Sequence, residues 1–259
     1  MSFTVIIPAR YASTRFPGKP LIDLQGKPMV VRVAERAACS GASRVVVATD
    51  DARIADACVQ AGVSVAMTRS DHATGTDRLS EAASQLGLAD DAVVVNVQGD
   101  EPLIPVTVID QVANLLLQRP DAAIATFCHP IHDVADATNS NVVKCVLNVA
   151  GDAMYFSRAP IPFARDAWGA EVGAPPPGLP MYRHIGLYAY RASFLRIFPT
   201  LSVPAIERFE ALEQLRALAH GYRITAAVVE AALPPGIDTP DDYQRLRERY
   251  STSGVSFFT

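Results

Sequence analysis

No apolar run in this 259-residue chain approaches the ~20 residues needed to span a bilayer, so no membrane-spanning helix is expected. A strand pattern begins at Phe3, which leaves no room for a signal peptide, and the compartment expected is the cytoplasm. Positive charge is not in excess. The 23 Lys and Arg against 27 Asp and Glu give a net charge of −4, so no global field recruits nucleic acid or an anionic membrane. Any anion site must therefore be local. There are only four cysteines, Cys39, Cys58, Cys128 and Cys145, and no two form a C-x-x-C pair, which argues against a zinc site or a dithiol redox motif. Cys39, Cys58 and Cys145 stand in apolar periodic segments and read as small core residues. The first turn also lacks the G-x-G-x-x-G fingerprint of a dinucleotide site, which disfavours a nicotinamide oxidoreductase. Internal repeats and low-complexity blocks are missing as well.

What remains is an ordinary globular composition, 49% hydrophobic and 19% charged, in a chain long enough for a sizeable core. Strand and helix patterns alternate from the start: "FTVIIPA", then "MVVRVAERAACSG", "RVVVATD", "DARIADACVQAG", "SVAMT", "TDRLSEAASQLG", "AVVVNV", a helix from about Pro105 to Gln118, and "AAIATF". Continuous Val/Ile runs between helices predict a doubly wound, mostly parallel α/β sheet covered on both faces. After Cys128 the rhythm changes. A hairpin is expected to turn at Gly151-Asp152, "MYRHIGLYAYRA" reads as a strand, and "WGAEVGAPPPGLP" as a mobile surface loop. "IERFEALEQLRALAHG" reads as one helix, "YRITAAVVE" as a strand, and "TPDDYQRLRERY" as a last helix with Thr239 as N-cap. The expected organisation is a core of residues 1–127 and 205–250, an inserted smaller β-rich unit of 128–204, and a flexible tail of 251–259.

In an open α/β sheet, ligands sit beyond the carboxyl ends of the strands. Four polar clusters follow strand ends here: the loop "RYASTRFPGKP", "ATDD", "TRSDHATGTDR" and "VQGDEP". The first carries Arg10, Arg15 and Lys19, side-chain cations that suit a triphosphate better than a glycine turn does. Two readings stand for Asp100: a Mg²⁺ ligand beside phosphates, or a cap for the turn before Pro102. Asp238 in "GIDTPDD" likewise reads as a second metal ligand or as an Asx-turn before Thr239-Pro240.

Taken together, "IIPARYASTRFPGKPL", "ATDD", "TGTDRL", "VNVQGDEP", "FSRAPIP", "RHIGLYAYR", "LEQLR" and "GIDTPDD" resemble the 3-deoxy-manno-octulosonate (Kdo) cytidylyltransferases, or CMP-Kdo synthetases. The resemblance runs along almost the whole chain; "WGAEVGAPPPGLP" and the tail fall outside it. It implies a GT-A-like nucleotidyltransferase core, a cytoplasmic homodimer, and transfer of CMP from CTP to Kdo with Mg²⁺, supplying activated Kdo to lipopolysaccharide synthesis. Arg10, Ser13, Arg15 and Lys19 would then hold the CTP phosphates, with Lys19, Arg15 and Asp100 catalytic. Thr74, Gly75, Thr76, Arg78 and Gln98 would surround the nucleoside, and Asp100 and Asp238 the metal. Arg158, His184, Tyr188, Glu213 and Gln214 would line the sugar-acid pocket. Taken alone, Tyr188, Glu213 and His184 are equally an ordinary strand aromatic, a solvated helix charge and a satisfied structural histidine. Another sugar nucleotidyltransferase, such as one activating sialic acid, and a non-catalytic nucleotide-binding module are the alternatives.

Overall fold

The computed structural model describes residues 2–12, 16–169, 171–230 and 233–251; Ser13, Arg15 and the tail positions 252–259 lie outside them. The strands are β1 (Phe3–Ala9), β2 (Arg44–Thr49), β3 (Ser64–Met67), β4 (Val93–Asn96), β5 (Ile124–Pro130), β6 (Lys144–Leu147), β7 (Ala153–Ser157), β8 (Tyr182–Arg191) and β9 (Ile224–Val228). The helices are α1 (Met29–Ala38), α2 (Ala52–Gln60), α3 (Gly75–Gln85), α4 (Val106–Leu117), α5 (Val134–Thr138), α6 (Ala192–Ile197), α7 (Ala205–Glu210), α8 (Gln214–Ala219) and α9 (Pro240–Ser251).

The sheet runs β3-β2-β1-β4-β8-β5-β9, with β6 joined to β8 and β7 to β6. Pairings β3-β2, β2-β1, β1-β4 and β5-β9 are parallel, and β8 alone runs antiparallel to its central neighbours β4 and β5. Its composition shows why both faces must be covered. In β1, Val5 and Ile7 join the core with α1, α2 and α4, while Ile6 joins the opposite core with α3, α6 and α8. A strand buried on both sides needs an unbroken apolar run, which "FTVIIPA" supplies. Strand order reverses between β1 and β4, and the crevice beyond their carboxyl ends is where a ligand site belongs.

The 128–204 segment contributes a strand to the main sheet. Tyr182–Arg191 is a central strand, paired with both β4 and β5. Its near-continuous burial from Leu187 to Tyr190 explains the placement, because such a run cannot sit at an edge. The hairpin at Gly151-Asp152 is present as β6 and β7. The proline-rich loop is packed rather than loose at its first half: Trp168 is buried with Ile131, Val142 and Met181, and its indole donates to Ala174 O at 3.1 Å.

"IERFEALEQLRALAHG" is two helices, not one. Ala211 takes a left-handed conformation, φ 50°, and ends α7 before α8 begins. The carbonyls freed there do not go unpaired, since Arg158 donates to Glu210 O at 2.6 Å and Ala211 O at 3.3 Å. Cys58 and Cys145 are buried as expected and Cys128 is buried as well, whereas Cys39 is exposed because α1 ends at Ala38 and leaves Cys39 beyond the packed face.

Candidate active site

The loop after β1 folds back on itself before it reaches the site. Gly18 N–H donates to Tyr11 O at 3.2 Å, and Gly18 has φ 70°, where a side chain would be strained and its Cβ would meet the Tyr11 hydroxyl at 3.2 Å. The reversal launches Lys19 into the crevice. Lys19 Nζ donates to Asp100 Oδ2 at 2.6 Å and to Asp238 Oδ1 at 3.2 Å, and its side chain is 15% exposed.

Three residues 81 and 219 positions apart thus meet at one ammonium. The turn after β4 is closed by backbone, Glu101 N–H to Gln98 O at 3.2 Å, so the Asp100 carboxylate is not its cap. At the start of α9, Asp242 accepts from the backbone N–H groups of Asp238 and Thr239, at 3.1 and 2.9 Å, and from the Thr239 hydroxyl. Thr239 Oγ1 in turn accepts from Asp242 N–H at 3.2 Å, the expected N-cap. Asp238 keeps its carboxylate for the crevice. Ile237 N–H donates to Asp100 O at 2.9 Å, locking the two carboxylate-bearing loops together. Gly236 lies so close that a Cβ would reach Asp100 O at 3.1 Å.

Glu101 lies just behind. It is held up to about 7, first by burial and then by the charges of Asp100 and Asp238, and its Oε2 has no hydrogen-bond partner among the described residues.

A cavity of about 280 Å³ opens in front of Lys19, lined also by Arg10, His72, Thr74, Gly75, Arg78, Gln98, Gly99, Asp100 and Asp238. Thr74 caps α3 through a reciprocal pair with Asp77, which aims the start of the helix at the cavity. Arg78 is buried and steadied by the Thr68 hydroxyl and by Asp50, the latter at 3.4 Å. Thr76 turns away and donates to Glu213 Oε1 at 2.8 Å. His72 was not singled out from the sequence. Its Nε2 meets Glu81 Oε2, and Glu81 also accepts from Arg69 N–H at 3.0 Å, so the loop before α3 is pinned to that helix. The signal available was its place two residues before the Thr74 cap.

A second cavity of about 440 Å³ shares Thr74, Gly75 and Gln98 with the first, and adds Asn96, Arg208 and Glu213. Burial pushes the Glu213 carboxyl up, with the Thr76 and Thr74 hydroxyls pulling it down. Of the five expected sugar-pocket residues, Glu213 alone lines either cavity. Arg158 points its guanidinium at the carbonyls of Glu210, Ser140 and Ala211. Gln214 is buried at the start of α8, and Tyr188 is buried opposite Asn96 in the β4-β8 register.

His184 sits behind Tyr188, within 3.0 Å of Thr126 Oγ1 and edge-on to the Phe156 ring at 4.9 Å. Burial pushes its imidazole down to about 3. An unfolded histidine titrates near 6.5, so between the two values the unfolded chain binds more protons. Stability from this group is therefore complete above about pH 6.5 and lost as pH falls toward 3, at about 1 kcal/mol per pH unit. Urea unfolding between pH 7 and pH 5 is expected to show a shallower pH slope for His184→Gln than for the parent; identical slopes would refute the assignment.

Asp100 and Asp238 form a donor set of two carboxylates around one point, and no group of three or more His, Cys, Asp or Glu suited to a metal occurs among the described residues. That set fits Mg²⁺, which commonly takes one or two protein carboxylates and completes its octahedron with phosphate oxygens and water.

The sequence model of the family described as Cytidylyltransferase matches residues 4–224. Among solved structures, CMP:2-keto-3-deoxy-manno-octonic acid synthetase complexed with CTP is 39% identical with a TM-score of 0.86, over 97% of this chain and 99% of that one. A cytidylyltransferase from Leptospira borgpetersenii serovar Hardjo-bovis (strain JB197) is 18% identical, with a TM-score of 0.64 over 100% of this chain and 90% of that one, and is alike in fold.

Proposed function

We infer the reaction from one premise: this chain belongs to the cytidylyltransferase family. It transfers CMP from CTP to Kdo, giving CMP-Kdo and pyrophosphate. The observation that carries this reading is Lys19 held by Asp100 and Asp238 at the mouth of a cavity walled by Thr74, Gly75, Arg78 and Gln98, in a chain so closely matched to a CTP-bound synthetase.

The chemistry is an in-line attack by the anomeric hydroxyl of Kdo on the α-phosphorus, with pyrophosphate leaving. An anionic sugar approaches a triphosphate, so charge must be neutralised first. Lys19 and Arg10 face the cavity and can do this from the protein side. Ser13 and Arg15, which belong to the same loop, would join them on the phosphates. Thr74, Gly75, Arg78 and Gln98 hold the nucleoside, and Thr76 acts one step back through Glu213. Asp100 and Asp238 would hold Mg²⁺. When bound, the ion supplies further charge neutralisation and lowers the pKa of a coordinated hydroxyl. Most of the catalysis is positioning and electrostatics.

The second cavity, which shares a wall with the first, receives the sugar, with Glu213 facing its hydroxyls. His184, Tyr188 and Gln214 support that wall from behind. The exposed Val149, Met154 and Phe163 of the 128–204 segment favour pairing of two copies there. In the cell the product would serve lipopolysaccharide synthesis from the cytoplasm.

The test is pyrophosphate release with CTP, Kdo and Mg²⁺, with product mass as the second readout. CTP is expected to outperform UTP and ATP, and Kdo to outperform N-acetylneuraminate and sugar phosphates. Binding of CTP without turnover of any sugar would sink the reading.

A further inference from the structure

The sugar-side cavity contains two groups to which the family resemblance gave no role. Asn96 ends β4 and is only 2% exposed, yet its Oδ1 has no partner among the described residues. A buried amide oxygen left unpaired is costly, and costs less when a ligand donor completes it. Asn96 is among the residues that line the cavity, and its Oδ1 is itself buried.

Arg208 is the second group. It lies on α7 and is the only cation lining this cavity among the described residues. No hydrogen bond or ion pair engages its guanidinium among those residues. The acids around it are already committed. Glu207 is paired with Arg216 through two contacts of 2.8 and 2.5 Å, and Glu210 accepts from the Ser157 hydroxyl and the Arg158 N–H. Glu213, the other acid lining the cavity, accepts from the Thr76 hydroxyl, so the exposed Arg208 guanidinium is paired with no carboxylate among the described residues.

Arg158, one of the residues expected to line the sugar-acid pocket, is not placed to meet a carboxylate. Its donors cap the carbonyls at the end of α7 and reach Ser140 O at 2.9 Å. A guanidinium engaged on three carbonyls has no free fork for a carboxylate.

We propose that Arg208, rather than Arg158, receives the carboxylate of the acceptor sugar acid. The inference rests on the reading that a sugar acid is the acceptor, and it names the residue that makes acidity a requirement. The left-handed Ala211 contributes by ending α7 one turn beyond Arg208, so that the helix stops at the cavity wall that Ala211 itself lines.

The test measures CTP-dependent pyrophosphate release against varied Kdo and against varied Kdo methyl ester, whose neutral head removes the charge. The parent enzyme is expected to prefer the acid by at least about tenfold in kcat/KM, the scale of a charge-assisted pair. Arg208→Gln should raise the KM for Kdo about tenfold, leave the KM for CTP within about twofold, and reduce the preference for acid over ester to within about twofold. Arg208→Lys should recover part of the preference, as a point charge does. Arg158→Gln should lower Tm and keep the preference. If folded Arg208→Gln keeps the acid preference, or Arg158→Gln abolishes it, the inference is overturned while the reaction stands. If the parent turns over neither Kdo nor N-acetylneuraminate, the reaction and this inference fall together.

Discussion

Lys19→Met is expected to lower kcat by about a hundredfold to a thousandfold, with a much smaller change in the KM for CTP. A compact ammonium on a flexible stem can follow the α-phosphate as charge develops, and a contact strongest in the transition state registers in kcat. The scale is that of deleting one principal electrostatic stabiliser. The structure adds a second expectation. Lys19 sits between Asp100 and Asp238, so its removal leaves two carboxylates facing one point with no cation between them. Without nucleotide, Mg²⁺ should then raise the Tm of Lys19→Met more than that of the parent, where the ammonium competes for the same oxygens. Scanning calorimetry with and without Mg²⁺ checks this apart from turnover. A folded variant with unchanged kcat would show that Lys19 does no more than join two loops.

The role of that ammonium was only half legible beforehand. Lys19 and Asp100 follow β1 and β4, adjacent parallel strands whose Val/Ile runs declare them, and the strand-end rule brings both to one crevice. Asp238 follows no such strand directly. Its place depends on the backbone bond from Ile237 to Asp100, a long-range contact that no local pattern encodes. The central place of β8 was not legible for a related reason: periodicity reports that a segment is a strand, not which strands it divides. The break at Ala211 leaves the 3.6-residue pattern of "IERFEALEQLRALA" intact, so it cannot be seen there. Asn96 was hidden inside "VVVNV", where one polar residue in an apolar run passes for strand. Arg158 and Arg208 are indistinguishable by composition, and only the carbonyls around Arg158 tell them apart.

Asp100→Asn is the other substitution with a large expected effect, a loss of at least about a hundredfold in kcat/KM. The amide keeps the shape of the side chain and removes the charge that would hold Mg²⁺ beside the phosphates. It also strips the charge from the closer of Lys19's two anchors, the 2.6 Å contact, and leaves the 3.2 Å contact to the more exposed Asp238 as the remaining ion pair. Two consequences separate the metal role from the anchoring role. If the carboxylate serves the metal, the Mg²⁺ concentration for half-maximal activity should rise at least about tenfold in Asp100→Asn, and excess Mg²⁺ should recover part of the rate. If it serves only to hold Lys19, the Mg²⁺ dependence should match the parent and kcat should fall at every concentration. Glu101 gives a further readout. Its carboxyl is raised by burial and, secondarily, by the Asp100 and Asp238 charges, so neutralising Asp100 should move its titration downward. That shift can be followed by carbon-13 NMR of labelled glutamate without nucleotide or metal. A folded Asp100→Asn enzyme with parental kcat/KM, parental Mg²⁺ dependence and an unmoved Glu101 would remove Asp100 from the site altogether.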